Sequence, residues 1–301
     1  MRAMRTDEYV SALLHKGNAE LSKYMKADVV VIRSPIAFGL DQVVRQEIDN
    51  LHPREDDRSS RLSVLLETGG GHIEVVERIY GVFRKHYRTV SFIVPDYAYS
   101  AGTVLVLSGD EIYMDYYSIL GPIDPQIQSA DGRFVPGLGY LQKYEELTKK
   151  INEAQDPTKV RAELSYLLAK FDPAELFLLE QARNHSISLL KAWLPRHKFK
   201  RWTKTNGRGI SVTKAMREQR AEEIATVLGN PERWHSHGRG IGIKELTSDE
   251  IKLDIVNFGD VPDLNRLIGS YYQLFIDYCS KLGLGMESTV LHTRNGMRRL
   301  S

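Results

Sequence analysis

Four short strand-like runs, the first nearly all-apolar and rich in β-branched residues, constrain the fold of this chain more than any other feature. They lie at 27–36 (ADVVVIRSPI), 61–68 (RLSVLLET), 89–95 (TVSFIVP) and 111–115 (EIYMD). Runs of that length predict strands buried on both faces, as in a parallel sheet. Between them the period changes. GLDQVVRQEIDNL (39–51) is helical, and Ile73, Val76, Tyr80 and Phe83 mark one face of a second helix. AGTVLVLSG (101–109) is small and apolar, and predicts a short buried helix. Such β-α-β alternation predicts an α/β fold with helices covering the sheet. The reactive edge of such a sheet is the one at the carboxyl ends of its strands.

From about residue 138 the pattern becomes helical, through GLGYLQKYEELTKKINEAQ, PTKVRAELSYLLAKF, PAELFLLEQARNHSISLLKAWL and SVTKAMREQRAEEIATVLG. A long helix is predicted over 263–283, with Leu267, Tyr271, Leu274 and Tyr278 on one stripe. We therefore expect an α/β core over 1–137, a helical extension over 138–285 that completes the fold, and a flexible tail over 286–301. The chain has 301 residues, enough for a packed core. A net charge of only +2 gives no global argument for nucleic acid or an anionic membrane. The single cysteine, Cys279, rules out an intrachain disulfide framework and a cysteine zinc cluster, and reads as a packing residue. No run is long enough to span a bilayer and no apolar leader is evident, so a cytoplasmic location is expected.

Two features fall at the expected reactive edge. One strand ends in Thr68-Gly69-Gly70-Gly71, and the next is followed by Tyr99-Ser100-Ala101-Gly102 at the start of a small-residue helix. The Ser100 hydroxyl would sit where unpaired helix N–H groups point. The Ala101 N–H could hold negative charge developing on a substrate carbonyl. Gly70 and Gly71 offer further N–H groups with no side chain in the way. A hydroxyl with two such donors is the geometry of acyl transfer. Each feature alone has a plainer reading: a glycine run after a strand can be a simple turn, and a serine before a helix can be an N-cap.

Residues 64–127 resemble the Clp-peptidase/crotonase superfamily. They look closest to the branch that holds the serine dehydrogenase proteinase family and signal peptide peptidase A. TGGGHIEVVERIY is similar to the Gly-Gly strand end and following helix of Clp peptidase. The interval from Gly71 to Ser100 matches that family's interval from its second glycine to its nucleophile. YSAGTVLVLSGDEIYMDYYSILGPIDPQ is similar to the nucleophile and GPIDPQ segments of the serine dehydrogenase proteinases. ERWHSHGRGIGIKELTSDEIKL bears a faint likeness to a later segment of the same family. The resemblance implies a Clp-peptidase/crotonase-like spiral of β-α-β units with a largely helical carboxyl-terminal half. It implies a serine endopeptidase with Ser100 as nucleophile and Gly70, Gly71 and Ala101 as the oxyanion hole. No cofactor or metal is required.

The base is less fixed. Clp peptidase has a histidine near the position of Pro125, whereas this chain has Asp124 there and no histidine. The signal-peptide-peptidase branch uses a Ser-Lys dyad, and Lys143 is the first lysine after Ser100. Burial would let such an amine act as a neutral base, with Tyr140, Leu141 and Leu147 as apolar neighbours. Lys143 can equally be a solvated helix-surface residue. Asp124 reads as a structural or turn residue. His235 and His237 form an H-x-H pair that is an alternative base, since no third metal ligand is in sight. His72 could contact substrate or lie on the surface. Arg196–Arg208, with Trp202 inside it, reads as a solvated connection rather than a nucleic-acid patch. GRGIGI (238–243) is a weak nucleotide fingerprint. The resemblance further implies a polypeptide substrate, a homo-oligomer, a separate ATPase or adaptor, and membrane association through a partner only. Two alternatives stand beside it: a catalytically inactive Clp-like scaffold or binding protein, and a crotonase-like enzyme acting on a CoA thioester.

Overall fold

The computed structural model describes residues 5–51, 59–123, 126–128, 134–205, 209–234, 236 and 238–300. Its first elements are helix α1 (Thr6–Met25), strand β1 (Asp28–Arg33) and helix α2 (Leu40–Leu51). Next come β2 (Arg61–Glu67), α3 (Ile73–His86), β3 (Thr89–Ile93), β4 (Tyr97–Ala98), α4 (Ala101–Leu107), β5 (Glu111–Met114) and β6 (Ile119–Leu120). A hairpin of β7 (Gln126–Gln128) and β8 (Phe134–Pro136) leads into α5 (Gly137–Glu153), α6 (Arg161–Lys170), α7 (Pro173–Arg196), α8 (Lys214–Leu228) and α9 (Pro231–Trp234). The remainder holds β9 (Ile241–Gly242), α10 (Ile243–Thr247), β10 (Val256–Asn257), α11 (Pro262–Lys281), β11 (Thr289–Thr293) and β12 (Gly296–Leu300).

The main sheet has the order β10-β5-β3-β2-β1-β11-β12. The pairs from β10 to β1 are parallel, as the apolar runs predict, and β11 and β12 add antiparallel neighbours. Alternate strand residues feed two cores, which is the period-two geometry of a pleated strand. Val30, Ile32, Leu62, Val64, Leu66, Val90 and Phe92 face one core, built with α2, α3, α4 and α7. Val29, Val31, Leu65 and Ile93 face the other, built with α1 and α11. Of the stripe predicted on α3, Ile73, Val76 and Phe83 are buried and Tyr80 is partly buried against the same core, while Val75 and Ile79 are buried beside them. Each such side chain contributes about 1.5–3 kcal/mol relative to leaving it in water.

The expected flexible tail over 286–301 is corrected by the structure. Residues 289–300 form the β11–β12 hairpin, and Val290, Leu291 and His292 are buried against β1. The turn Arg294-Asn295 precedes Gly296 at φ +120°, a left-handed position that glycine takes without strain. Arg294 reaches back to Asp28 at 3.3 Å, so the hairpin is also tied down by charge. Helix α11 packs beside α1 on one face of the sheet, which makes it part of the α/β core.

A second, small sheet runs β4-β6-β9. β4 and β6 are parallel, and β9 is antiparallel to β6. The alternating glycines of 238–243 supply β9: a side chain at Gly240 would lie 2.9 Å from Ile119 Cδ1, so that segment is a close-packed strand and not a nucleotide loop. The basic stretch 196–205 is a connection held to the core through buried Phe199 and half-buried Trp202, whose carbonyl accepts from Arg217.

Candidate active site

The carboxyl ends of β1 and β2 and the β4–α4 junction meet at one place. Thr68 extends β2 by one bridge: its N–H donates to the Tyr97 carbonyl at 3.2 Å and its carbonyl accepts from Tyr99 N–H at 3.0 Å. Helix α4 then begins directly after Ser100. Thus β2's end and the serine's segment are stitched together by backbone before any side chain is considered.

The glycines then turn. Gly70 has φ +98° and Gly71 φ +145°. The Gly70 carbonyl accepts from Ile36 N–H at 2.8 Å, in the loop that follows β1. The peptide plane is trans, so the Gly71 N–H on that same plane points the opposite way, away from Ile36. Neither the Gly71 nor the Ala101 N–H donates to an acceptor among the described residues. The Gly70 N–H is different: it donates to Thr68 Oγ1 at 3.1 Å. The three candidate donors therefore divide into two that are available and one that is engaged.

Glycine is required here by contact as well as by φ. A Cβ on Gly70 would stand 2.8 Å from Ser100 Cβ and 2.8 Å from the Tyr99 carbonyl oxygen. One on Gly71 would stand 2.3 Å from the Ile36 carbonyl oxygen, and one on Gly102 would stand 2.3 Å from Thr68 Cγ2. The serine and the glycine turn are thus in van der Waals contact.

Ser100 itself carries backbone strain. Its φ is 52° and its ψ −118°. Among the described residues only two other non-glycine residues have positive φ, Lys26 and Lys252, and Lys26 lies in the ordinary left-handed well with ψ 46°. Ser100 lies outside that well, in a region that costs of the order of 1–3 kcal/mol for a residue with a Cβ. Its hydroxyl makes no capping bond to α4, so the plain N-cap reading does not describe it.

Polar packing stiffens the floor of the site. Arg33 and Glu67, the last residues of β1 and β2, form a buried pair at 3.3 Å. Tyr272 OH donates to Glu67 Oε2 at 2.8 Å, and Tyr97 OH lies 3.3 Å from Oε1. Burial, followed by the Glu67 charge, raises the Asp96 carboxyl above its ordinary range. Behind the serine, Thr103 Oγ1 accepts from Gly121 N–H at 3.0 Å and has the Ala98 and Gly121 carbonyls within reach of its single proton, which fixes the GPI segment against Tyr99. Sequence reasoning placed Thr68 at the strand end and Gly102 at the helix start without pairing them, and it did not single out Ile36.

Lys143 lies on α5, which is anchored by the face carrying Leu141 and Tyr140 against α7. Lys143 is roughly 200° around the helix from Leu141 but only one turn from Tyr140, so it lies at the edge of that face. Its side chain is 57% exposed and its Nζ lies 3.1 Å from Glu146. Of the apolar neighbours expected to bury it, Leu141 and Tyr140 pack toward α7 and Phe171 and leave Lys143 exposed. His72 is exposed and packs at a tilt against Phe38 with ring centroids 4.4 Å apart, beside Gly71. Asp124, His235 and His237 lie outside the described residues. Among the described residues no group of three or more His, Cys, Asp or Glu side chains could hold a metal, and no helix is long and apolar enough to cross a membrane.

The model of the ClpP-like SDH-type serine proteinase family matches residues 52–205, a span that takes in Gly70, Gly71, Ser100, Ala101 and Lys143. Two uncharacterized proteins of Methanocaldococcus jannaschii are similar. MJ0137 is 28% identical over 157 residues, 52% of this chain and 49% of that protein. MJ1495 is 32% identical over 92 residues, 31% of this chain and 30% of that protein. The chain thus spans half or less of the curated relatives it matches. Two solved structures of the 1510-N membrane-bound stomatin-specific protease, both alanine mutants and one of them with a substrate peptide, are 14% and 16% identical to it. They cover 79% and 76% of this chain, and 83% and 73% of their own, each with a TM-score of 0.43. The family match covers half of the sequence, and the chain belongs to the ClpP-like SDH-type serine proteinases.

Proposed function

We propose that this chain is a serine peptidase that cleaves polypeptides through an acyl-enzyme, with Ser100 as nucleophile. The observation that carries the reading is the Ser100 backbone, held at φ 52°, ψ −118° against Gly70. Strain of that kind persists only where surrounding structure enforces it, and here it presents a hydroxyl beside two N–H groups that have no acceptor among the described residues. Ser100 Oγ attacks the peptide carbonyl carbon as its proton passes to a base. The carbonyl oxygen becomes the oxyanion and is held by the Gly71 and Ala101 N–H groups, which act where charge develops. Collapse breaks the C–N bond, and the proton goes to the leaving amine. Water then attacks the ester, releasing the carboxylic acid and restoring the hydroxyl. Gly70 shapes the hole through its contact with Ser100.

Lys143 is the proposed proton acceptor, carried by the family pattern. To serve, its Nζ must leave Glu146 and reach Ser100 Oγ, in surroundings dry enough to favour the neutral amine. A homo-oligomer could supply such surroundings. The exposed Leu164, Tyr166, Leu168, Phe177 and Leu178 on α6 and α7 support self-association.

A second reading, a catalytically silent scaffold of the same fold, is favoured by one observation, the exposed and ion-paired Lys143. A fluorophosphonate probe separates the two. The peptidase is labelled at Ser100, the label is lost in Ser100→Ala, and Lys143→Ala slows it at least tenfold. No labelling of the wild type would leave the scaffold. Labelling undiminished in Lys143→Ala would remove Lys143 from the mechanism.

A further inference from the structure

The Thr68 side chain touches both halves of the candidate oxyanion hole. Its Oγ1 accepts the Gly70 N–H at 3.1 Å within a buried environment. Its Cγ2 fills the space that a Cβ on Gly102 would need, in the first turn of the helix that carries the Ala101 N–H. Its own backbone holds Tyr97 and Tyr99, directly before Ser100. Thr68 is 1% exposed, so none of these contacts is shared with solvent.

We propose that Thr68 is a positioning residue that aims the Gly71 N–H at the reacting carbonyl. This rests on the peptidase reading of Ser100. Two peptide planes flank the Gly70 Cα. One carries the Gly70 N–H and is pinned by Thr68 Oγ1; the other carries the Gly70 carbonyl and is pinned by Ile36 N–H. A glycine at φ +98° has no side chain to restrict it. With both planes held, φ and ψ of Gly70 are fixed and so is the direction of the Gly71 N–H. Without the Thr68 acceptor only one plane is held, and the next N–H can swing. Preorganised donors are effective because they need not reorient during the reaction. A loosened donor therefore lowers kcat more than it alters substrate affinity.

Thr68→Val keeps the shape and removes the acceptor; Thr68→Ser keeps the acceptor and removes the methyl group. With fluorescein-labelled casein, Thr68→Val should lose at least tenfold in kcat with KM within about twofold, and Thr68→Ser should recover to within about threefold of wild type. Wild-type rates in Thr68→Val, or equal losses in both variants, overturn the proposal. A second readout does not depend on turnover. In protein labelled with 15N-glycine, the Gly70 amide should exchange with solvent slowly in wild type and Thr68→Ser. It should exchange at least ten times faster in Thr68→Val, or in Thr68→Ala if the valine variant does not fold. Unchanged exchange refutes the hydrogen bond and with it the proposal. Loss of the peptidase reading is distinguishable: there, wild-type Ser100 takes no fluorophosphonate label while the exchange pattern stands.

Discussion

The closest test of the site's packing is the pair Thr68 and Gly102. An alanine Cβ at position 102 would lie 2.3 Å from Thr68 Cγ2, well inside the 3.5–4.0 Å separation at which carbon atoms attract. The methyl group cannot turn aside cheaply, because rotating χ1 would take Oγ1 off the Gly70 N–H. Overpacking of this kind costs about 1–3 kcal/mol. It is offset by up to about 1 kcal/mol, since alanine is the better helix former. Gly102→Ala alone should therefore destabilise by roughly 1–2 kcal/mol. In Thr68→Ser the obstructing methyl is gone, and the next atoms, Ala98 Cβ at 3.5 Å and the Cβ of residue 68 at 3.8 Å, are at ordinary contact distance. There Gly102→Ala should be neutral or stabilising by up to about 1 kcal/mol. The coupling between the two sites is then about 2 kcal/mol, well above the roughly 0.5 kcal/mol scatter of independent sites. Urea unfolding of the four proteins, followed by tryptophan fluorescence and circular dichroism together, measures it. Additive effects would refute the contact between the glycine turn and the serine's helix.

Two further outcomes follow from the same structure. Ser100→Gly should abolish fluorophosphonate labelling and yet raise the melting temperature, because release of about 1–3 kcal/mol of strain exceeds the 0.5–1 kcal/mol entropic cost of glycine; a fall in melting temperature would contradict the strain. Stability should also drop as pH falls from about 6.5 to 4. Burial, together with nearby cationic side chains around Arg84, lowers His197 to about 4, and burial followed by His15 does the same for His292. Both fold as neutral rings, so the unfolded chain binds protons first and stability rises with pH across that window. The loss approaches about 3 kcal/mol for His292, and less for the half-buried His197; urea midpoints unchanged from pH 7 to pH 4.5 would refute it.

The parallel sheet was legible because its strands are buried on both faces, and nothing but apolar, β-branched runs satisfies that environment. The strand-end glycines and the serine were legible for a related reason. Only glycine tolerates φ +98° and +145°, so the turn is written in the residues themselves. The engagement of the Gly70 N–H was not legible. It depends on the rotamer of Thr68, which sequence does not display. The exposure of Lys143 was not legible because Tyr140, one turn from it, and Leu141 pack toward α7 and Phe171, which leaves the lysine at the edge of that face, beside Glu146. The β11–β12 hairpin was missed although Asn295-Gly296 flanked by a Val290-Leu291 pair is a hairpin signal; a basic terminus with two arginines, Arg298 and Arg299, obscured it.

That hairpin has a consequence for timing. β1 emerges early in synthesis, yet its neighbour on one side, β11, is separated from it by most of the sequence. At cellular elongation rates the ribosome needs tens of seconds to cover that distance. Throughout that interval the backbone donors and acceptors along one margin of β1 await their partners, beside some of the most apolar surface in the protein. Assembly of the seven-strand sheet must therefore be finished after most of the polypeptide has left the ribosome, and nascent chains should lean on holdase chaperones until it is.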